Sequence, residues 1–201
     1  MVTNAFVGGM VGIERTVLPL IAEADFGVAS AAAGTAFIVT FGVTKALVNL
    51  FAGGLADQLG RKRLLVVGWI FAFPVPLLLM YAPSWSWVLL ANVLLGVNQS
   101  LSWSMTVVMK VDLAPPTMYG RVIGWNEFAG YAGMSATALA TGLIASTYGF
   151  RPEPFYIGLL VAVVGLVLSL GTRETRPQSW RAPAEPGSCL LYTSDAADEL
   201  T

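Results

Sequence analysis

The sequence predicts an all-α membrane protein of six transmembrane helices, and three observations lead there. The chain of 201 residues is 56% hydrophobic but only 11% charged, with a mean hydropathy of +0.70. A soluble domain of this size carries about a quarter charged residues, so the deficit points to lipid as the solvent. Six apolar windows approach the roughly 20 residues that a spanning helix needs. Lysine and arginine, finally, gather on one side of the predicted membrane.

The first window is Val2–Ile21. It is not a cleavable signal peptide, because it lacks a basic leader and more spans follow. Its start almost at Met1 is unusual and leads us to expect that the true gene begins upstream. Gly8 and Gly12 form a small-xxx-small pair that reads as helix packing. Glu14 and Arg15 stand about 100° apart on a helix and cannot both face one partner. The second window, Ala31–Leu55, places Lys45, Asn49 and Gly53 on one face at spacings of four. Pro74 and Pro76 predict a kink in the third, Leu64–Ala82. In the fourth, Trp87–Met109, the residues Asn92, Gly96, Gln99, Trp103, Thr106 and Lys110 recur at steps of three and four. That is a polar stripe with one aromatic platform, the pattern of a cavity wall. The fifth, Val122–Thr147, carries Glu127 and Tyr131 one turn apart, and the sixth is Phe155–Gly171. Asn4 with Gly8 and Asn92 with Gly96 repeat at equal spacing in the first and fourth windows.

Turn-formers separate several windows: Pro83 to Ser86, Pro115-Pro116, and Gly149 to Pro152. Trp69, Trp85, Trp87 and Trp125 sit near window ends, as an aromatic belt requires. With a cytoplasmic N-terminus, the inner segments hold Arg61, Lys62, Arg63, Lys110, Arg121, Arg173, Arg176 and Arg181, and the outer loops hold Arg151. This bias places both ends in the cytoplasm.

Composition also excludes chemistry. There is no histidine, which removes imidazole zinc sites, histidine triads and the usual pH switch. The single cysteine, Cys189, can form neither a disulfide framework nor a thiolate metal cage. We therefore expect no catalytic residue, no metal and no cofactor. The net charge of −1 gives no reason to expect nucleic acid as a partner.

The segment with the most information runs from Gly53 to Arg63, GGLADQLGRKR, between the second and third windows. It resembles the signature of the major facilitator superfamily (MFS), G-x-L-A-D-[RK]-x-G-[RK]-[RK], with Gln58 in place of a basic residue. Position, spacing and the cytoplasmic side agree with that family. Read physically, Gly53 permits close helix contact, Gly60 a tight turn, and Asp57 a cap or a cation pair. The resemblance covers the six spans, to about Arg176, and implies the N-terminal half of a twelve-helix transporter built from two inverted three-helix repeats. It further implies a gating loop of Gly53, Asp57, Gly60, Arg61, Lys62 and Arg63, with Asp112 as acidic partner of Arg61. Pro115 through Arg121 resembles the family's second cytoplasmic loop loosely. Many proton-coupled members carry an arginine in helix four, four residues before a glycine. Asn92 stands there, and helix five lacks the family's proline-glycine pattern, which puts proton-driven antiport in question.

A charge in the bilayer core costs ~2.5–3.5 kcal/mol or more, so it faces a cavity or a partner. The candidates are Glu14, Arg15, Lys45 and Glu127. In the family, helices three and six are peripheral, and none of the four lies there. We expect Arg15, Lys45, Gln99, Trp103 and Glu127 to line a substrate cavity. The competing reading is that these charges pair with one another and only hold the bundle together.

The expected domains are a transmembrane half over residues 1–172, a proline-rich cytoplasmic linker over 173–188, and a tail over 189–201. Cys189 to Glu199 resembles a translated sequencing-library adapter, and the tail is expected to be an artefact of assembly. The expected function is transport of a small solute by alternating access in a bacterial or archaeal cytoplasmic (inner) membrane. Its partners would be a small molecule or ion, the lipid bilayer and the missing C-terminal six-helix half. The rivals are a self-contained homodimeric transporter, a membrane-embedded enzyme and a non-transporting scaffold.

Overall fold

The structure, a computed structural model, describes residues 1–176. The linker beyond Arg176 and the tail lie outside the described residues. Eight α-helices follow one another: α1 Val2–Arg15, α2 Leu18–Phe26, α3 Ser30–Leu59, α4 Arg61–Ala72, α5 Pro74–Tyr81, α6 Trp85–Val111, α7 Tyr119–Tyr148 and α8 Tyr156–Leu170. They make six membrane-crossing segments, because α1–α2 and α4–α5 are each one span broken in the middle.

Proline causes both breaks. Its ring clashes with the carbonyl four residues back and supplies no N–H. Pro19 thereby interrupts the helix at Arg15–Thr16, and Pro76 does the same at Ala72–Phe73. The first span consequently runs to Phe26, five residues past the predicted Ile21.

By length and composition, five segments suffice to cross a membrane: Val2–Phe26, Ala31–Leu59, Arg61–Tyr81, Pro116–Tyr148 and Glu153–Leu170. The 27-residue α6 is long enough but too polar for that group. The reason is its place at the centre of the bundle. Asn98 donates to the Gly68 carbonyl on α4 at 2.9 Å, and Gln99 donates to the Val7 carbonyl on α1 at 2.8 Å. Such groups are tolerated in a span when they bond to protein instead of facing lipid.

The packing follows two inverted three-helix repeats. The broadest contacts are α1 on α7 and α3 on α6, that is, first span on fifth and second span on fourth. Exchanging the two repeats maps one contact onto the other. The third span packs on α6 as α8 packs on α1, which completes the pattern. At the α1–α7 crossing the backbones touch. A Cβ on Gly8 would collide with the Gly130 carbonyl, and one on Gly133 with the Ala5 carbonyl. Gly96 plays the matching part on α6, where its Cα faces Phe41 and Thr44 of α3. The recurrent glycine four residues after an asparagine thus marks equivalent crossings in the two repeats. Lipid supplies no hydrophobic drive between helices, so such close contact supplies the attraction.

Candidate functional site

Two polar regions stand out, one at the α3–α4 junction and one midway along the spans.

The junction is built at a helix break one residue wide. The signature segment is not a loop: Gly53 to Leu59 complete α3, and Arg61 to Arg63 open α4. Gly60 alone turns the chain, with φ +98, a conformation that side chains rarely adopt. Arg61 is buried and reaches both neighbouring acids, Asp57 at 2.8 Å and Asp112 at 3.2 Å, and donates to the Ala56 carbonyl at 2.9 Å. Gly53 behaves differently from its expected role in close helix contact. An added Cβ there meets nothing within 4 Å, because that face of α3 is uncovered in this chain.

Glu174, which follows α8, completes this region. Its carboxylate accepts from the backbone N–H of Arg61 at 2.9 Å and of Lys62 at 3.2 Å. It therefore caps the N-terminus of α4, where unsatisfied N–H groups and the helix dipole favour an anion. Burial works against the charge, but backbone donors from Arg176, Arg61, Lys62 and Thr175 outweigh it and hold the carboxyl below its usual value. Lys62 returns the tie by donating to the Leu170 carbonyl at 2.8 Å, and Arg176 donates to the Asp57 and Gln58 carbonyls. The end of α8 is thereby fastened to the α3–α4 junction.

Within the membrane, α3, α6 and α7 bring Lys45, Trp103 and Glu127 together. The Lys45 ammonium lies 5.2 Å from the Trp103 ring centroid and 5.8 Å from that of Phe41. Trp103 donates through Nε1 to Glu127 Oε1 at 2.9 Å, and Asn126 Nδ2 reaches the same oxygen at 3.3 Å. Tyr131 meets the Trp103 ring edge-on at 5.7 Å. On α3, Phe41 stacks on Phe37, and the Arg15 guanidinium covers Phe37 at 5.1 Å. The result is a row of alternating cations and rings: Arg15, Phe37, Phe41, Lys45, Trp103. Among the described residues, neither Arg15 nor Lys45 forms an ion pair.

Four of the five expected cavity residues, Arg15, Lys45, Trp103 and Glu127, therefore share one surface. Gln99 does not. It is fully buried, its amide is committed to Val7 and Asn98, and it stands behind the wall. The fourth-window stripe is divided accordingly. Asn92, Gly96, Gln99 and Thr106 are buried between helices, while Trp103 and Lys110 are half-buried.

Sequence reasoning missed the network beneath Glu127. Asn4 donates to the Asn126 carbonyl at 2.6 Å, Thr106 donates to Asn4 Oδ1 at 2.7 Å, and Lys110 bonds to Asn126 Oδ1. The spacing of Asn4 and Gly8 was a signal for the first of these. Nothing marked Asn126 beyond its polarity within a span. For metal, the described residues hold no cluster of three or more candidate ligands.

The family model of the Major Facilitator Superfamily matches residues 1–196. The chain belongs to this superfamily. The match runs past Arg176, further than the motif resemblance reached. Among curated MFS relatives, the multidrug resistance protein MdtG of Citrobacter koseri is 31% identical over 141 residues, which is 70% of this chain and 34% of that protein. An MFS-type transporter of Salmonella typhimurium is 28% identical over 176 residues, 79% of this chain and 42% of that protein. The chain thus spans between a third and a half of the curated relatives it matches. Among solved structures, the xylose transporter XylE from E. coli in its inward-open conformation superposes with a TM-score of 0.70 at 14% identity, over 96% of this chain and 53% of that one. At that identity the likeness shows the MFS fold and nothing finer.

Proposed function

We propose that this chain is the N-terminal half of an MFS secondary transporter that carries a small solute across a cytoplasmic (inner) membrane by alternating access. Both ends lie in the cytoplasm, and a second six-helix half completes the path. Arg15, Lys45, Trp103 and Glu127 form this half's wall of the cavity. Gly53, Asp57, Gly60, Arg61, Lys62, Arg63 and Asp112 belong to the cytoplasmic gate.

The observation that supports this reading is that two intramembrane cations rest on aromatic rings, with no ion pair to either among the described residues. A bundle that used charge only to hold itself together would pair them, since an unpaired ion in hydrocarbon is costly. Here they lie beside aromatic faces on helices whose outer sides the chain leaves uncovered. That suits a surface completed by a solute and a facing half, as in transporters that bind at a repeat interface near the midplane. The same observation favours transport over an enzyme or a passive scaffold. The relatives' names give no common solute, one being a multidrug protein and the solved neighbour a xylose transporter, so neither substrate is carried over.

The test is solute counterflow in proteoliposomes, comparing the complete protein that contains this chain with the chain by itself. The complete protein should exchange a solute, and the chain alone should not, because rocking needs two halves. Counterflow by the chain alone would overturn the half-transporter reading and favour a homodimer.

A further inference from the structure

Two couples of opposite charge lie along the row of rings. Glu14 and Arg15 both line a cavity of about 180 Å³ beside Phe37. Both carboxylate oxygens of Glu14 are buried and make no hydrogen bond, so a solute reaches only the cation of that couple. Lys45 and Glu127 form the second couple, and it is built differently. Glu127 acts on Lys45 electrostatically, yet the two form no ion pair. Trp103 holds both. Its indole N–H fixes Glu127 Oε1 at 2.9 Å, and its ring centroid lies 5.2 Å from the Lys45 ammonium. Asn126 Nδ2 adds a bond to the same oxygen at 3.3 Å. Among the described residues, Glu127 Oε2 accepts no hydrogen bond and the Lys45 ammonium donates none. Both side chains are half-buried. Lys110 also acts on Glu127, but its ammonium is bonded to Asn126 Oδ1 in the network beneath.

We infer that the solute is a zwitterion built like an aromatic amino acid, with its carboxylate at Lys45 and its ammonium at Glu127 Oε2. This rests on the transporter reading and adds the charge and shape of the cargo. A lone anion satisfies Lys45 but meets the repulsion of Glu127, and a lone cation does the reverse. A zwitterion gives each side chain the opposite charge and leaves the bond from Trp103 to Glu127 in place. Hydrogen bonds between charged groups are the strong ones, and a site poor in water strengthens them further. A desolvated charge is costly unless it is paired and hydrogen-bonded, which a solute of this kind achieves at both of its ends. The apolar part of the solute follows from the rings around the couple. Phe41, stacked on Phe37, lies 5.8 Å from the Lys45 ammonium. Tyr131 is exposed and meets Trp103 edge-on. An aromatic group laid on these rings gains edge or offset contacts.

Four probes that share one ring and differ in charge test this: L-phenylalanine, 2-phenylethylammonium, 3-phenylpropanoate and the neutral 3-phenylpropanol. Their binding to the complete protein in nanodiscs is measured at equilibrium. Phenylalanine should bind about tenfold or more tightly than each of the others, the scale of one charge-assisted contact. K45M should leave the binding of 2-phenylethylammonium unchanged and bring phenylalanine down to its level. E127Q should do the same with 3-phenylpropanoate. That crossed pattern separates lost charge from lost fold, and K45R and E127D should keep the full order. Equal binding of all four, a singly charged or neutral probe that binds as tightly as phenylalanine, no saturable phenylalanine binding, or a preference that survives both K45M and E127Q overturns the inference. Counterflow of a solute with one charge or none, without competition by phenylalanine, would leave the transporter reading standing and remove the zwitterion. The crossed pattern in a protein that exchanges no solute would do the reverse.

Discussion

The α3–α4 junction and the mid-span wall use the same residue types to opposite ends. At the junction, Arg61 is 4% exposed and holds two carboxylates, while Glu174 caps the helix that Arg61 begins. In the wall, Arg15 and Lys45 lie in a medium where pairing is worth more, yet each rests on rings. A buried charge pair broken on one side destabilises strongly, whereas removing a charge that has no ionic partner removes only its desolvation cost and its ring contacts. The contrast separates residues tied into ion pairs from residues that rest on rings.

The largest expected effect falls on the junction. R61A leaves Asp57 and Asp112 without their cation and should lower the unfolding free energy by about 3 kcal/mol, read from thermal unfolding in detergent. Asp57, 41% exposed, contributes the smaller share because water screens it. K45M in the same assay should stay within about 0.5 kcal/mol of the parent, since it removes no ion pair. Equal losses for the two variants would erase the distinction between the regions.

E174Q should follow, costing about 1 kcal/mol as a weakened helix cap. Its pH dependence has a definite sign. The folded state holds the Glu174 carboxyl below its usual value of 4.5, so the charged form favours folding. The parent's advantage over E174Q should be complete above about pH 4.5 and fade as the pH falls further. An advantage that grows on acidification would contradict the capping account. A loss of similar size is expected of W103F, which keeps the ring beside Lys45 and removes the indole donor to Glu127. It should cost about 1 kcal/mol, the usual net contribution of one hydrogen bond.

The fold was legible because lipid imposes length and apolarity on every span, and because the signature fixed the order of the second and third spans. Lys45 and Glu127 were legible for the converse reason, as charges in apolar windows attract notice. Gln99 misled, because helical periodicity shows which residues share a face and not which neighbour covers that face. Gln99, Trp103 and Thr106 fall in one periodic stripe, but α1 covers Gln99 and leaves Trp103 half-open. Gly53 misled in a similar way, its face being uncovered in this chain. Glu174 escaped because its partners are backbone N–H groups 112 and 113 residues away, which no local pattern encodes.

If Lys45 lines the cavity of the proposed transporter, it meets water, and Gln99 behind it does not. Single cysteines introduced at Lys45, Gln99, Leu160 and Gln58, with Cys189→Ser as background, can be labelled in native membranes with a water-soluble maleimide. Position 58, exposed at the cytoplasmic junction, should react when the cytoplasmic face is open to the reagent. Position 160, exposed on the apolar α8 and expected to meet lipid, and position 99, fully buried, should not. Position 45 should react, and an excess of solute should slow it. A cysteine at 45 as inert as those at 99 and 160, in a protein that labels at 58, would show that Lys45 lines no aqueous path.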